Sequence, residues 1–539
     1  MSYKINLIIK NNFFEFFLFF LVATFFFSFI FSNYYHFFYQ NGDSAFFVDL
    51  IHNVGLENKI YTSTGSSIGL MLKHLISDPQ TYCLFGEDDA LLNNDLLKNG
   101  HLYLIIFLFA LFVKLGVNAL ILSSIIFALN FSLIILVIFF YLKKKKIQKP
   151  YILIFLTLLF FWLPFSLSWV GQFYFDRLFI LPMLMLIFLV NDFNNIKNNK
   201  FFLFILLFYI VILHERAALI AGYFLMSYLF FFYNQIKEYR KLFFFSSLSL
   251  IFYFFIYVKY VQTSYYSGAY TFDDFLTKIQ WVFNNTNDMR NLTIMFFLIN
   301  FFFLFLSVFN IKYFLIAFGS LLPNLFISVG GAEKTGLSSH YHSFYIPFII
   351  SAAVFGFIRL KEILTKKHYF IFVSFFTVFF LLFNLHYDFS SRDKIFNFNK
   401  LGKINHSMYL QKSFPYLFTD YWRFQINNTQ TIINFLDKIK IESNARVSVH
   451  ESRHVFFSMK KNLIDYFPMG IGKSDYLIVG KSNDALEDTI IFDSFLDQEQ
   501  RNKILNCIKL AINQNYYLLD KLVLWYGGSV SVYKKRTTM

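Results

Sequence analysis

The sequence predicts an α-helical membrane protein with about eleven transmembrane helices, followed by a small α/β domain at the C-terminus. Three observations predict this class. The mean hydropathy is +0.51. Only 15% of the 539 residues are charged, against roughly 25% in soluble domains. The last 150 residues or so change from long apolar runs to short strand-like and helix-like segments.

Apolar runs of the length that a membrane crossing needs, about 20 residues, recur from Phe13 to residue 386. Short lysine clusters such as Lys143–Lys146 lie between the runs, and such clusters prefer the cytoplasmic side of a membrane. This preference predicts a cytoplasmic N-terminus. It also accounts for the net charge of +15, so we predict no nucleic-acid partner.

These lysine assignments agree with one another under two conditions. The short apolar stretch His101–Gly116 must lie flat at the interface, and residues 201–233 must cross twice and turn near His214-Glu215-Arg216. The predicted organisation is then a membrane domain over residues 1–386, in which residues 34–117 form a first outer loop. An extracytoplasmic α/β domain follows over residues 387–539.

Within the C-terminal domain, the segments Arg446–His450, Tyr476–Val479 and Val530–Tyr533 are predicted strands, and Gln498–Asn513 is a predicted amphipathic helix. The chain has two cysteines, Cys83 and Cys507, without a metal-binding spacing. Both fall outside the cytoplasm in this topology, where a single disulfide could join them.

The first outer loop opens with Gly42-Asp43 at the start of a segment with helical periodicity. Asp49 and His52, three residues apart, would share one face of that helix. A carboxylate at the membrane boundary can take a proton from an acceptor hydroxyl, or bind a metal that holds a lipid phosphate. The alternative is that Asp43 is merely the N-cap of an interfacial helix.

Two further sets of charged residues stand at predicted outer turns. Asp176-Arg177 is one, and it can be a functional pair or a solvated surface pair. His214-Glu215-Arg216 is the other, between two apolar runs. Ionisable groups at membrane depth usually face a cavity and have a function, and an arginine can hold a phosphate with two hydrogen bonds. The alternative is that Glu215 and Arg216 simply neutralise each other.

The glycine-rich outer loop 330–343 contains Lys334, His340 and His342. These side chains can bind a phosphate or a sugar hydroxyl, or be ordinary surface residues. Two histidines separated by one residue are not a metal signature. We therefore predict no metal ligands and no cofactor, although a divalent metal stays possible without being indicated.

The order of these features resembles the N-terminal third of GT-C-type glycosyltransferases, polytopic enzymes that use polyprenyl-phosphate sugars. One span, an acidic motif, a long outer loop, an interfacial helix ending in Lys114-Leu115-Gly116 and a second span follow one another. The resemblance implies a GT-C-like membrane domain with Asp43 as the catalytic carboxylate. Ser44 stands where many relatives have a second acid.

Over most of its length the chain is similar to a bacterial family of polytopic membrane proteins of unknown function. Arg177 and Arg216 stand where histidine or an acid is expected in that family. The resemblance implies a bacterial inner (plasma) membrane location. It is carried by Gly42-Asp43 with Phe46-Phe47, Gly100-His101, Phe175-Asp176-Arg177 with Leu181-Pro182, His214-Glu215-Arg216, His340-Tyr341-His342 with Ile346-Pro347, and Arg446-Val447-Ser448-Val449.

Taken with these features, the resemblance to GT-C-type enzymes implies an inner-membrane glycosyltransferase that moves a sugar from a polyprenyl-phosphate donor to an envelope acceptor on the outer face. Asp43 is the predicted general base, and the membrane lipid and the lipid-linked sugar are the predicted partners. The predicted substrate-binding residues are Asp49, His52, Asp176, Arg177, His214, Glu215, Arg216, Lys334, His340 and His342. One alternative is a transporter or flippase, although no inverted repeat is visible. Another is a non-catalytic envelope assembly protein.

Overall fold

The computed structural model of the chain describes residues 13–35, 42–57, 103–162, 173–192, 200–260, 301–326, 343–386, 420–449, 457, 462–467, 470–481, 498–524 and 528–536. The chain divides into two compact units. The helical unit comprises residues 1–28, 101–104 and 126–413, and the sheet unit comprises residues 29–100, 105–125 and 414–539.

Helices make up most of the described residues, as predicted. In chain order they are α1 (Phe13–Tyr35), α2 (Gly42–Glu57), α3 (Ile105–Lys114), α4 (Ala119–Lys144), α5 (Lys149–Trp162), α6 (Ile180–Asn191), α7 (Lys200–Leu213), α8 (Glu215–Phe231), α9 (Arg240–Tyr260), α10 (Ile311–Phe326), α11 (Ile346–Ile363), α12 (Lys366–His386), α13 (Asp420–Lys438) and α14 (Gln498–Asn515). Residues 301–308 are also helical.

Three helices of the described chain are long and apolar enough to cross a membrane: Phe13–Phe31, Ala119–Lys144 and Lys237–Tyr260. Several apolar helices are shorter, among them Lys149–Leu159 and Lys200–Leu213. These helices agree with the predicted class of membrane protein. The number of eleven crossings stays a prediction.

Two helices occupy the centre of the helical unit. Most residues of α6 and α11 are buried, and the two helices contact each other. A helix that is apolar on all sides is expected to be surrounded by other helices or lipid. Gly356 of α11 allows a close approach, because a Cβ there would overlap the carbonyl oxygen of Leu306.

The lysine-bearing helix ends of this unit lie together. Lys143 at the end of α4 pairs with Glu15 in the first turn of α1 at 2.8 Å. The next residues, Lys144 and Lys145, pair with Asp192, directly after α6, at 2.7 and 2.8 Å. The ends of α4 and α6 and the start of α1 therefore meet at one end of the unit.

Hydrogen bonds bring further helix ends to the same place. The side-chain amide of Asn191 donates to the hydroxyl of Tyr141 at 2.7 Å, and the hydroxyl of Tyr313, near the start of α10, donates to the amide oxygen of Asn191. The Lys361 ammonium near the end of α11 donates to the carbonyl of Lys146. Helix ends that the lysine clusters assigned to the cytoplasmic side of a membrane thus lie close together in the structure.

The sheet unit is built on a five-stranded sheet in the order β2-β1-β3-β5-β4. Strand β1 is parallel to β2 and β3, whereas β5 is antiparallel to β3 and β4. The strands are β1 (Arg446–Val449), β2 (Leu463–Tyr466), β3 (Tyr476–Lys481), β4 (Tyr516–Val523) and β5 (Ser529–Lys535). Apolar residues of β1, β3 and β5 and of α13 form one continuous core.

The strands predicted at Arg446, Tyr476 and Val530 and the helix at Gln498 are confirmed. Strands β2 and β4 were not predicted. Asp465 interrupts the apolar pattern of β2, and it is buried because Arg446 and Ser474 hydrogen-bond its carboxylate at 2.7 and 2.8 Å. Strand β4 follows α14 without an intervening turn residue, so no sequence signal marks its start.

Helices α2 and α3 belong to this same unit and pack tightly against each other. A Cβ on Gly55 would lie 2.7 Å from the Cβ of Val113. Helix α3 has ten residues, which span about 15 Å at 1.5 Å per residue, or about half of a hydrocarbon core. This length is consistent with the prediction that His101–Gly116 does not cross the membrane.

Candidate functional site

A cluster of buried charged side chains lies where two interruptions of the helical unit meet. The first interruption is the 3-10 helix Phe175–Phe179, which precedes α6 and carries Asp176 and Arg177. The second is the break at His214 between α7 and α8. Asp176, Arg177, His214 and Glu215 are each at most 1% exposed. The sequence predicted both sets of residues, and the fold brings them together.

His214 interrupts the helix because its own backbone is extended, with φ −168° and ψ 141°. Its ring then caps α8, since Nδ1 accepts a hydrogen bond from the backbone N–H of Arg216 at 2.9 Å. A side-chain acceptor at this position satisfies one of the free N–H groups of the first helical turn. The predicted helix break near His214 is thereby confirmed, while the two membrane crossings stay a prediction.

The His214 ring also lies between two carboxylates. Its Nε2 is 3.5 Å from Oδ1 of Asp176, and its Nδ1 is 3.3 Å from Oε2 of Glu215. In the neutral ring that accepts from Arg216, the proton is on Nε2 and faces Asp176. In the protonated ring, Nδ1 carries a proton that can be donated to Glu215 instead. Protonation of His214 therefore removes the hydrogen bond that caps α8 and allows an ion pair with Glu215.

Aromatic side chains enclose the cluster. The Tyr103 hydroxyl donates to Oδ1 of Asp176 at 3.5 Å, and the Tyr103 ring meets the His214 ring edge to face at 5.1 Å between centroids. The Phe344 ring contacts His214 from another side, with centroids 5.4 Å apart. The sequence did not identify Tyr103, because nothing in the pattern distinguishes it from the other 34 tyrosines of the chain.

The two arginines of the cluster differ in accessibility. Arg177 is 0% exposed, its backbone carbonyl accepts from the side-chain amide of Asn130 at 3.2 Å, and its Cζ lies 5.3 Å from the centroid of the Tyr174 ring. Arg216 is only partly buried. Both interact electrostatically with Asp176, which also experiences the charge of Glu215.

The cluster thus combines two carboxylates, one guanidinium group and one imidazole that are all buried with the partly exposed guanidinium group of Arg216. With both carboxylates ionised, their two negative charges balance the two guanidinium charges. Isolated buried charges cost several kcal/mol each, and this balance is what makes their burial tolerable.

Several predicted site residues lie elsewhere or outside the described part. Asp43 and Asp49 belong to α2, with Asp43 in its first turn, but their side chains are not among those described. Lys334, His340 and His342 lie outside the described residues. Any role for these five residues stays a prediction.

His52 is buried in the sheet unit. Its Nε2 lies 2.7 Å from the carbonyl oxygen of Asn462, and the side chain is 2% exposed. Because a carbonyl oxygen only accepts, Nε2 is the donor. The predicted contact of His52 with substrate stays untested.

Within the described part of the chain, no group of three or more His, Cys, Asp or Glu side chains is arranged to hold a metal ion. Cys507 of α14 is disulfide-bonded. Cys83, the other cysteine of the chain, lies outside the described residues. Comparisons of the chain with protein-family models, with curated proteins and with solved structures find no match.

Proposed function

We propose that this protein is a membrane glycosyltransferase that moves a sugar from a polyprenyl-phosphate donor to an acceptor hydroxyl outside the cytoplasm. The observation that carries the proposal is the cluster of Asp176, Arg177, His214 and Glu215, which are all buried inside the helical unit beside the partly exposed Arg216. Burying these groups is costly, and ionisable groups inside membrane proteins generally serve a substrate, ion or proton pathway.

Arg216 is the residue proposed to bind the donor phosphate. It stands in the first turn of α8, where the helix dipole favours an anion, and it is partly exposed. A guanidinium can bind two phosphate oxygens at once and stays protonated at any physiological pH. Arg177, fully buried beside Asp176, is proposed to position the cluster and not to touch the substrate.

In the proposed reaction, Asp43 takes the proton of the acceptor hydroxyl while that oxygen bonds to the anomeric carbon of the sugar. The bond from this carbon to the phosphate oxygen breaks, and its electron pair leaves with the polyprenyl phosphate. The departing phosphate needs stabilisation of charge but no proton, which is what Arg216 supplies. Asp49 and the loop with Lys334, His340 and His342 are proposed to bind the sugar or the acceptor.

The proposed location is a bacterial plasma membrane crossed about eleven times, with the N-terminus in the cytoplasm and the sheet unit outside. Two observations support it. The lysine-bearing helix ends gather at one end of the helical unit, as a cytoplasmic face requires. Cys507 of the sheet unit is disulfide-bonded, and such bonds persist mainly outside the cytoplasm.

The test offers membranes a radiolabelled polyprenyl-phosphate sugar and compares wild type with Asp43→Asn and Arg216→Gln. Matched controls are Asp520→Asn on the exposed side of β4 and Arg359→Gln in an exposed ion pair. We expect transfer to fall at least about a hundredfold in the site variants, as for loss of a general base or a charge-stabilising group. Transfer that is equal in all five proteins would contradict the proposal.

A second function is favoured by one geometric feature. Asp176, His214 and Glu215 form a continuous chain of proton-carrying groups, with separations of 3.5 and 3.3 Å. Such chains occur in proton-coupled transporters. Reconstituted vesicles distinguish the two functions, because a transporter would move a lipid-linked substrate in response to a pH gradient and would leave its glycosidic bond intact.

A further inference from the structure

Helix α2, which carries Asp43, makes side-chain hydrogen bonds to the backbone of the C-terminal sheet. The His52 Nε2 donates to the carbonyl of Asn462 at 2.7 Å, and the Asn53 side-chain amide donates to the carbonyl of Ile464 at 3.3 Å. Both side chains are 2% exposed. All of these residues belong to the sheet unit.

The two carbonyls lie on the open edge of the sheet. In the described sheet, β2 is a terminal strand whose strand partner is β1. The backbone N–H of Phe467, just after β2, donates to the carbonyl of Val449 in β1 at 3.1 Å, so this residue faces β1. The backbone N–H and C=O groups of successive residues point to alternate sides of an extended strand. Ile464 and Asn462 each precede Phe467 by an odd number of residues, so their backbone groups point to the side opposite to that of Phe467. Their carbonyls therefore face away from β1.

An uncovered edge strand exposes free backbone groups that attract other strands, and proteins usually cover or disrupt it. Here the cover is α2. Asn462 is itself fixed, because its side-chain amide donates to the carbonyls of Glu442 and Ala445 at 2.6 and 3.1 Å. The edge of the sheet is therefore a rigid support for the helix.

The second attachment of α2 is to α3. The close contact of Gly55 with Val113 leaves no room for a side chain between the two helices. Helix α3 in turn exposes Phe107, Leu108 and Leu111, as a helix at a lipid interface would. Helix α2 is thus attached both to the start of β2 and to an apolar helix.

We infer that the C-terminal domain positions the helix that carries Asp43, through hydrogen bonds from His52 and Asn53 to the open edge of β2. The part of this inference that concerns catalysis rests on the proposed function; the attachment itself does not. His52 and Asn53 are positioning residues, since they act on the reaction through the location of α2. The substrate class served is the acceptor that Asp43 deprotonates.

The test uses the full-length protein in detergent micelles and the variants His52→Leu and Asn53→Asp, separately and combined. Ionised aspartate has the shape of asparagine but cannot donate to the Ile464 carbonyl, and leucine removes the imidazole donor. His52→Gln keeps an N–H donor and should restore part of the contact. Leu56→Ala, at an exposed position of the same helix, is the matched control.

In residues 42–57 and in β2, the rate of hydrogen–deuterium exchange should rise on the order of tenfold for each buried hydrogen bond that a variant loses. The β3 and β5 strands should keep their protection. Exchange that is unchanged in the double variant, or that rises equally in β3 and β5, would overturn the inference. The exchange rate of His52→Gln should lie between those of wild type and His52→Leu.

The catalytic readout separates this inference from the proposed function. If both hold, the double variant lowers kcat for transfer at least about tenfold and leaves KM for the donor unchanged, because misplacing a catalytic group affects the transition state more than ground-state donor binding. If wild type transfers no sugar while the exchange result is as expected, the attachment stands and the proposed function fails.

Discussion

The side chain of His214 caps helix α8 by accepting a hydrogen bond from the backbone N–H of Arg216 at 2.9 Å. The same imidazole nitrogen lies near the Glu215 carboxylate, so one atom serves both the helix end and the charged cluster. Helix geometry and protonation are therefore linked at this position. Substitutions at His214 can separate the two roles.

His214→Asn should be more stable than His214→Leu by about 1 kcal/mol, because asparagine is a good N-cap and leucine is not. Both variants lose the imidazole that faces Asp176, so their difference isolates the cap. Thermal unfolding of the purified proteins in the same detergent measures it. Equal unfolding temperatures would show that the Arg216 N–H does not depend on a side-chain acceptor.

Arg177→Leu should destabilise the protein by about 3–5 kcal/mol, because it leaves the buried carboxylate of Asp176 without one of its neighbouring positive charges. Replacing Asp176 and Arg177 together by leucine should be less harmful than Arg177→Leu alone. Chemical unfolding monitored by intrinsic fluorescence compares the three proteins.

The control for Arg177 is Arg359→Leu. Arg359 is exposed and pairs with Glu362 at 2.6 Å on the surface of α11, where both side chains are 55% exposed. Exposed pairs contribute at most about 1 kcal/mol. A comparable loss of stability at both arginines would mean that burial of Arg177 has no energetic consequence.

Gly356→Ala should destabilise the helical unit by about 1–3 kcal/mol, because the added methyl group would overlap the backbone carbonyl of Leu306. Gly116→Ala is a useful comparison. Among the described residues, nothing lies within 4 Å of a Cβ at that position, and the expected cost of about 1 kcal/mol comes from its φ of +93°. The unfolding temperature of Gly356→Ala should therefore be lower than that of Gly116→Ala. The reverse order would contradict the close packing at Gly356.

Peptide mapping without reducing agent should recover a cross-linked fragment that contains Cys507 and Cys83, because Cys507 is disulfide-bonded and Cys83 is the other cysteine in the sequence. Cys507→Ser should create one thiol that a maleimide labels after denaturation. It should also lower stability by about 2–5 kcal/mol. Recovery of two free thiols from protein purified with blocked thiols would refute the pairing.

Reporter fusions should give opposite signals at the two ends of the proposed topology. A reporter inserted after Lys146, within the lysine-rich group of helix ends, should be active in the cytoplasm. A reporter after Arg536, beyond β5, should be active only outside it. An extracytoplasmic signal after Lys146 would reverse the proposed orientation of the helical unit.

The amino-acid sequence alone was sufficient to predict the helical class, because long apolar runs separated by lysines are typical of helices that enter a membrane. It was also sufficient for the helix break at His214, for the strands at Arg446, Tyr476 and Val530, and for the two charged sets that prove to be neighbours. Each of these features is encoded in a few consecutive residues. Local periodicity and charge spacing are therefore enough to detect it.

Only the tertiary structure showed which of these local features contact one another. Asp176 and His214 lie on different elements, and Tyr103, which bonds to Asp176, carries no distinguishing sequence signal. The contacts of His52 with Asn462 and of Asn53 with Ile464 join segments more than 400 residues apart, as the separations of 410 and 411 show. Such contacts depend on the packing of whole helices and strands. No periodicity within a short window encodes them, because their partners are chosen by shape and backbone direction and not by neighbouring residues.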